Sequence, residues 1–341
     1  MGGWKNCSLG LHKAAGAALC ASLLAAVFLN IFLITAWAGT ETGEFCSTCP
    51  DWTDLDGWLA KKEAYERAQQ GGGQQNSAAS SLSPVKPKAP EPAKGYANPD
   101  LLALAFAASL PEDRIVLDVR TPAEYGSGHI PGARSLYWKS LQKDGRADPD
   151  LAQPALRRAG INSSDHLLIC GGSDEGAAAV FWALSYLGHR NLSLLDGGAD
   201  AAREAGIKPD KLTPAVAESN YSIQIVPWLL VTPASLEGLL GLSDVQILDA
   251  RDFAEYGRSR LTNESLPFSI DKIFDNSRMK DASALQDMMS RRSLDQKGTQ
   301  IVYGTPEAYS LFFALRLMGY NATLIEGDWW KETGWAVREV R

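Results

Sequence analysis

Of the five cysteines in this chain, one stands alone in its globular part. Cys170 closes the apolar run His166-Leu167-Leu168-Ile169 and precedes Gly171-Gly172-Ser173-Asp174-Glu175-Gly176, after which Ala177-Ala178-Ala179 opens a helical pattern. A strand-loop-helix joint of this kind puts a thiol at the carboxyl end of a strand, where ligands of parallel sheets collect. It also places the thiol beside a helix N-terminus with its free N–H groups and positive dipole end. That setting favours the thiolate, the nucleophilic form of cysteine. Position alone leaves a second reading open, a buried and inert thiol behaving as a small hydrophobe. A cysteine phosphatase would need an arginine six positions after the nucleophile, and that position is Gly176.

The second candidate is Cys46-Ser47-Thr48-Cys49, a CxxC followed by Pro50 rather than by the histidine of a haem attachment site. No second CxxC and no histidine pair with zinc spacing accompanies it, so neither a metal nor another cofactor is expected. In an oxidising compartment the simplest reading of Cys46 and Cys49 is a local disulfide. The sharper one is a redox pair that exchanges thiol or sulfane sulfur with Cys170 or with a partner.

The elements that must position these groups come in two similar sets. Leu117-Asp118-Val119-Arg120-Thr121-Pro122-Ala123-Glu124-Tyr125-Gly126 returns 131 positions later as Leu248-Asp249-Ala250-Arg251-Asp252-Phe253-Ala254-Glu255-Tyr256-Gly257, with seven of ten residues identical. A match of this length at a fixed offset, with Leu187-Gly188 echoed near Gly319, points to a duplicated unit. Each copy alternates short β-rich runs with helical stretches. The runs are 114–118, 166–169 and 192–195 in the first copy, and 245–249, 300–303 and 322–325 in the second. Short apolar strands alternating with helices predict an α/β fold, with a parallel sheet covered on both faces in each copy. The expected boundaries are 98–207 for the first domain, 208–230 for an inter-domain linker and 231–341 for the second domain.

Ahead of the repeats, residues 14–38 carry no charge and are long enough to span a bilayer, with Lys5 and Lys13 before them and Glu41, Glu44, Asp51 and Asp54 after. The basic flank predicts that residues 1–13 stay in the cytoplasm and that everything after Ala38 lies across the membrane, in the periplasm if the host is bacterial. Ala36-Trp37-Ala38 also fits a signal-peptidase site, so a transmembrane anchor and a cleaved signal peptide are both open. Residues 39–68 form a juxtamembrane segment holding the CxxC. Residues 69–97, with Gly71-Gly72-Gly73 and a proline-rich second half, read as a flexible linker. The formal charge of -7, without a block of Lys and Arg, argues against nucleic acid as a partner.

Taken together, Asp118-Val119-Arg120 through Glu124-Tyr125, Gly128-His129-Ile130-Pro131-Gly132-Ala133, Cys170 with its loop, Leu187-Gly188-His189 and Leu195-Asp196-Gly197-Gly198 resemble the rhodanese family of sulfurtransferases. The resemblance runs from about Asn98 to Arg341. It implies two rhodanese-like domains in tandem, with Cys170 taking sulfane sulfur from a small donor and passing it, as a persulfide, to a thiol acceptor. It also implies that the backbone of Gly171, Gly172, Ser173, Asp174, Glu175 and Gly176 cradles the substrate. Thiosulfate-type members carry basic residues in this loop, whereas Asp174 and Glu175 would raise the thiol pKa and repel a dianion, so the expected donor is not thiosulfate. In the second copy Ile301-Val302-Tyr303 is followed by Gly304 where the cysteine would stand. That copy is expected to be degenerate and to close one side of the Cys170 pocket. Asp118 and Arg120, repeated as Asp249 and Arg251, are expected to hold a turn, and His129 to lie in a loop rather than act as a base. The alternative to an enzyme is a catalytically inactive binding or assembly module in a membrane-associated complex.

Overall fold

A computed structural model describes residues 95–105, 110, 113–172, 175–275, 277–332, 334 and 337–338. The apolar run 14–38, Cys46, Cys49, linker residues 69–94, Ser173 and Asp174 lie outside the described residues, whereas Tyr96, expected at the end of the flexible linker, is buried in the core with its hydroxyl donating to the Lys280 carbonyl at 2.6 Å. Among the described residues no helix is long and apolar enough to cross a membrane.

The first half builds its sheet from β1 (Leu102–Ala103), β2 (Ile115–Asp118), β3 (Arg134–Ser135), β6 (Leu167–Cys170) and β7 (Leu192–Leu195), in the order β1-β7-β6-β2-β3 with all pairs parallel. A small antiparallel hairpin, β4 (Gln142–Lys143) with β5 (Arg146–Ala147), projects from the connection between β3 and β6. The strands that sequence periodicity locates at 114–118, 166–169 and 192–195 fall within a residue of β2, β6 and β7. Four helices link them: α1 (Pro122–Ser127), α2 (Pro149–Arg158), α3 (Gly176–Tyr186) and α4 (Gly198–Glu204). Local chemistry starts α1, because Thr121 and Glu124 form a reciprocal capping box and Pro122 supplies the first helical turn. Asp148 caps α2 by accepting the Asp150 and Leu151 N–H groups.

The second half repeats this order. Its sheet runs β10-β8-β13-β14, all parallel, from β8 (Val245–Asp249), β10 (Leu266–Pro267), β13 (Thr299–Tyr303) and β14 (Asn321–Leu324). A parallel bridge from Leu230 to Leu324 takes the place of β1. Two further pairs are antiparallel, β9 (Ser259–Arg260) with β15 (Val337–Arg338) and β11 (Phe274–Asp275) with β12 (Arg278–Met279). The helices are α5 (Pro233–Leu239), α6 (Phe253–Arg258), α7 (Ala282–Arg291), α8 (Glu307–Leu317) and α9 (Trp329–Glu332).

Strand alternation sorts each sheet's side chains between two cores. Leu167 and Ile169 face a large core with α2 and α3, while Leu168 and Cys170 face a smaller one with Tyr125 of α1 and Ala202 of α4. In the second sheet Leu248 and Val302 join the large core, while Ile247, Ile301 and Tyr303 join a third cluster with Leu236 of α5 and Trp330 of α9. The large core is shared by both halves because α3 and α8 pack on each other, with Phe181 edge-on to Phe313 at 4.9 Å and Trp182 tilted against Tyr309 at 5.7 Å.

Residues 208–230 are more than a tether. They lie along the first half, with Ser219 N–H donating to Arg157, Gln224 N–H to Leu187 and Val226 N–H to Tyr186. Tyr221 is buried there, its hydroxyl 3.1 Å from His189 Nδ1, while His189 Nε2 reaches the Asp165 carbonyl at 2.8 Å. Burial holds the His189 pKa below its ordinary value, which fits a neutral ring donating from Nε2 and accepting at Nδ1.

Candidate functional site

Cys170 is the last residue of β6 and pairs in register with Asp118 of β2. Val119 N–H donates to its carbonyl at 3.0 Å, so the strand continues hydrogen bonding up to the point where the loop departs. Its side chain is fully buried, in the cluster with Tyr125, Ile130, Ala133 and Leu195. The expectation of a thiolate favoured by the helix end is not met in this conformation. Burial, first, and the Asp118 carboxylate, second, push the thiol well above its ordinary pKa, with Arg120 opposing them. Among the described residues the acidic influence on the thiol comes from Asp118 of the neighbouring strand and Asp200 of α4.

Asp118 and Arg120 form a buried pair, Nε to Oδ1 at 3.0 Å and Nη2 to Oδ2 at 2.5 Å, and Arg120 Nη2 also donates to the Gly128 carbonyl at 3.0 Å. The same fork recurs as Arg251 on Asp249, with Nη2 donating to the Ser259 carbonyl. Each pair ties the strand end to the segment after the following helix, the turn-holding task expected of them. His129 is buried and stacked on Tyr125 at 3.8 Å, with its ring nitrogens toward the carbonyls of Tyr125 and Leu212. Both face backbone carbonyls, and neither is engaged with Cys170.

The loop after Cys170 is held at both ends. The Gly171 carbonyl accepts the Ala199 N–H at 3.1 Å, and at Gly176 a Cβ would lie 2.6 Å from the Trp138 ring. Gly198 has φ of +55° and a Cβ there would sit 2.3 Å from the Gly171 oxygen, so only glycine lets the β7 loop close on the cysteine loop. Of the residues expected to cradle the substrate, Gly171, Gly172 and Glu175 line a cleft of about 200 Å³ together with Asp196. Across the cleft stand Ile270, Phe274, Met279 and Phe313 of the second half. Cys170 itself does not line it. Leu195 belongs both to the cleft wall and to the cluster that seals the thiol.

Asp196 reads in the sequence only as part of a turn motif, Leu195-Asp196-Gly197-Gly198. It is nine-tenths buried, lines the cleft and accepts the Met279 N–H on Oδ1 at 2.8 Å. Burial raises its pKa. Its counterpart at the end of β14, Glu326, accepts the Ala147 N–H at 2.9 Å and the Tyr309 hydroxyl at 2.6 Å. Each half thus places a strand-end carboxylate on a hairpin of the other.

The sheet register corrects one expectation. Tyr303, not Gly304, pairs with Asp249, and Ala250 N–H donates to its carbonyl at 3.0 Å, reproducing the relation of Cys170 to Asp118 and Val119. Gly304 is the next residue. Its φ is +90° and a Cβ there would meet Arg251 Cγ at 2.5 Å, so the strand end of the second half has room for no side chain at that point. The shift arises because the loop before α8 is shorter, which a comparison anchored on the closing glycine cannot place.

Residues 102–205 match the Rhodanese-like domain family. A Pseudomonas aeruginosa protein named as a 3-mercaptopyruvate sulfurtransferase is 31% identical over 178 residues, 44% of this chain and 61% of the relative. A Haloferax volcanii protein named as a thiosulfate sulfurtransferase is 23% identical over 258 residues, covering 66% of this chain and 87% of the relative. The crystal structure of the Escherichia coli 3-mercaptopyruvate sulfurtransferase SseA superposes with a TM-score of 0.57 at 20% identity, over 64% of this chain and 93% of that one, a likeness of fold. The chain spans between about half and three fifths of the length of the first curated relatives it matches.

Proposed function

We propose that this chain is a sulfurtransferase that carries sulfane sulfur on Cys170. The observation that supports it is the place of Cys170 at the carboxyl end of a central parallel strand, at the mouth of the Gly171–Glu175 loop and within the rhodanese-like segment. In the first step the Cys170 thiolate attacks the outer sulfur of a donor persulfide or polysulfide. A new S–S bond forms on Cys170, the donor's own S–S bond breaks, and the remainder leaves as a thiolate. In the second step an acceptor thiolate attacks the outer sulfur of the Cys170 persulfide, and Cys170 departs as thiolate. Sulfur moves at constant oxidation level, and the proton shed by Cys170 before attack ends on the departing donor thiolate or in water. Because the thiol is sealed and neutral at rest, loading requires the glycine pair Gly171-Gly172 to let the loop open. Glu175 beside the cleft disfavours thiosulfate as donor.

The second half acts as a degenerate copy of the first domain that closes the cleft. The run 14–38 anchors the protein, or directs its export, so that the two domains lie outside the cytoplasm. Cys46 and Cys49 are candidates to exchange sulfur with Cys170 along the 69–97 linker. Treating the full-length protein with polysulfide, 3-mercaptopyruvate and thiosulfate, followed by intact mass and peptide mapping, tests the function: no sulfur adduct on Cys170 with any donor rejects it. Alkaline phosphatase fused after residue 38 tests the topology and must be active.

The full burial of Cys170 favours one rival, an inactive module that holds a partner of a membrane-associated complex. Cys170→Ser separates the two, since a module keeps its cellular function when the thiol is removed and a sulfur carrier loses it.

A further inference from the structure

We propose that the cleft beside the Cys170 loop is a binding site for a small ligand with an apolar body and a cationic ammonium group, recognised by Asp196. The inference rests on the sulfurtransferase reading for its biological use, as the pocket of an aminothiol acceptor or the corresponding persulfide donor. Its ligand chemistry follows from the cleft alone.

The walls of the cleft are apolar on both sides, Leu102 and Leu194 from the first half and Phe274, Met279 and Phe313 from the second. The polar side chains that break this surface include two carboxylates, Glu175 at the loop and Asp196 at the end of β7, and no Lys, Arg or His is among the described lining residues. The Arg278 guanidinium packs beside Gly197 and favours the Asp196 carboxylate, but it is shared with Glu204, to which it donates at 2.7 Å. Burial raises the nearby Glu307 carboxyl and the Glu175 carboxylate adds to that, which places a second acidic group close to Glu175.

Asp196 is built as a recognition group rather than left by chance at a surface. It is nine-tenths buried, and Oδ1 is fixed by the Met279 N–H. Among the described residues Oδ2 makes no hydrogen bond. Because Arg278 is shared with Glu204, a further opposite charge with a donor for Oδ2 completes this buried carboxylate. An ammonium group supplies that charge and N–H donors, whereas a second anion would add repulsion. The cavity, at about 200 Å³, is below the ~300–1,000 Å³ usual for drug-sized ligands, so its occupant is small.

The test uses the full-length Cys170→Ser protein, which binds without reacting, and three matched thioethers: S-benzylcysteamine as cation, S-benzylmercaptoethanol as neutral and S-benzylmercaptoacetate as anion. Calorimetric titration is expected to rank them cation, neutral, anion, with at least about a tenfold spread in Kd, or about 1.4 kcal/mol, between the first and last. Asp196→Asn, which keeps an acceptor for Met279 N–H, is expected to bring the cation-to-neutral ratio close to one. Equal binding of cation and anion, or no binding by any of the three, overturns the proposal, as does an unchanged ratio in a folded Asp196→Asn variant. If that variant does not fold by circular dichroism, the ranking in the parent protein decides. Because no step involves Cys170, the outcome is independent of sulfur transfer: persulfide formation without charge ranking sinks this inference alone, and ranking without persulfide formation sinks only the sulfurtransferase reading.

Discussion

Tyr303 occupies in the second sheet the place that Cys170 occupies in the first, each the last residue of its central strand and each paired with an aspartate that forks an arginine. The two side chains have opposite consequences. Cys170 leaves a small thiol against the next loop, whereas Tyr303 fills its pocket, with Trp330 edge-on at 4.9 Å, the Arg251 guanidinium over its ring and its hydroxyl accepting the Leu261 N–H at 3.1 Å. Both positions are core, and in the second half a ring fills the one that the thiol takes in the first.

Restoring a cysteine there is therefore expected to fail as a gain of function. Tyr303→Cys removes a fully buried ring and a satisfied hydroxyl, and should cost about 3 kcal/mol by the range for large-to-small core changes. Denaturant unfolding gives the stability, and peptide mapping after polysulfide treatment should find no sulfur on residue 303. Sulfur loading at that position would show that the pocket is more open than its packing implies.

Gly304→Ala forces a Cβ against Arg251 and holds alanine at a φ of +90°. The loss should be about 2 kcal/mol or more, by the combined range for backbone strain and overpacking. Gly126→Ala is the control, because a Cβ there meets nothing within 4 Å. Comparable melting temperatures for the two variants would contradict the steric argument.

Glu326 should make stability fall as pH rises through neutrality. Burial pushes its carboxyl up to about 7 from an ordinary 4.5. Between those values the folded chain keeps a proton that the unfolded chain has shed, so the contribution is fully present below the lower value and is lost as pH rises through the higher. The swing is on the order of 3 kcal/mol, at 1.36 kcal/mol per pH unit. Glu326→Gln, which can still accept from Tyr309 and Ala147, should flatten the pH dependence of the unfolding free energy over this window. An unchanged slope would refute the assignment.

The resting thiol should be slow to alkylate. Cys170 is sealed and its pKa is raised by burial and Asp118. Iodoacetamide near pH 8 should therefore modify residue 170 at least about tenfold more slowly in the folded chain than in guanidinium chloride, tenfold being one unit of pKa. Equal rates, resolved by peptide mapping, would mean the loop is already open.

Much of the fold was legible in the chain because its causes are local. Apolar runs of four or five residues between helical patterns locate β2, β6, β7, β8, β13 and β14 to within a residue or so, since strand pairing rewards that pattern directly. Thr121 with Glu124 marks a helix start for the same reason. The repeat of the Asp-x-Arg phrase foretold two matching forks. Tertiary structure alone decided the chemical character of the site. Which face of β6 receives the cysteine depends on strand phase at the sheet centre, and it buried the thiol against Tyr125 and Leu195 instead of exposing it to the cleft. The cleft wall comes from Phe274, Met279 and Phe313, residues 80 or more positions removed from the loop they face. The shortened turn before α8 moved Tyr303 into the cysteine's register, which no spacing rule could assign. Asp196 gained its interest only when a hairpin from the other half folded onto it. Residue type and local order are written along one chain, whereas burial and charge environment are properties of what arrives from elsewhere in it.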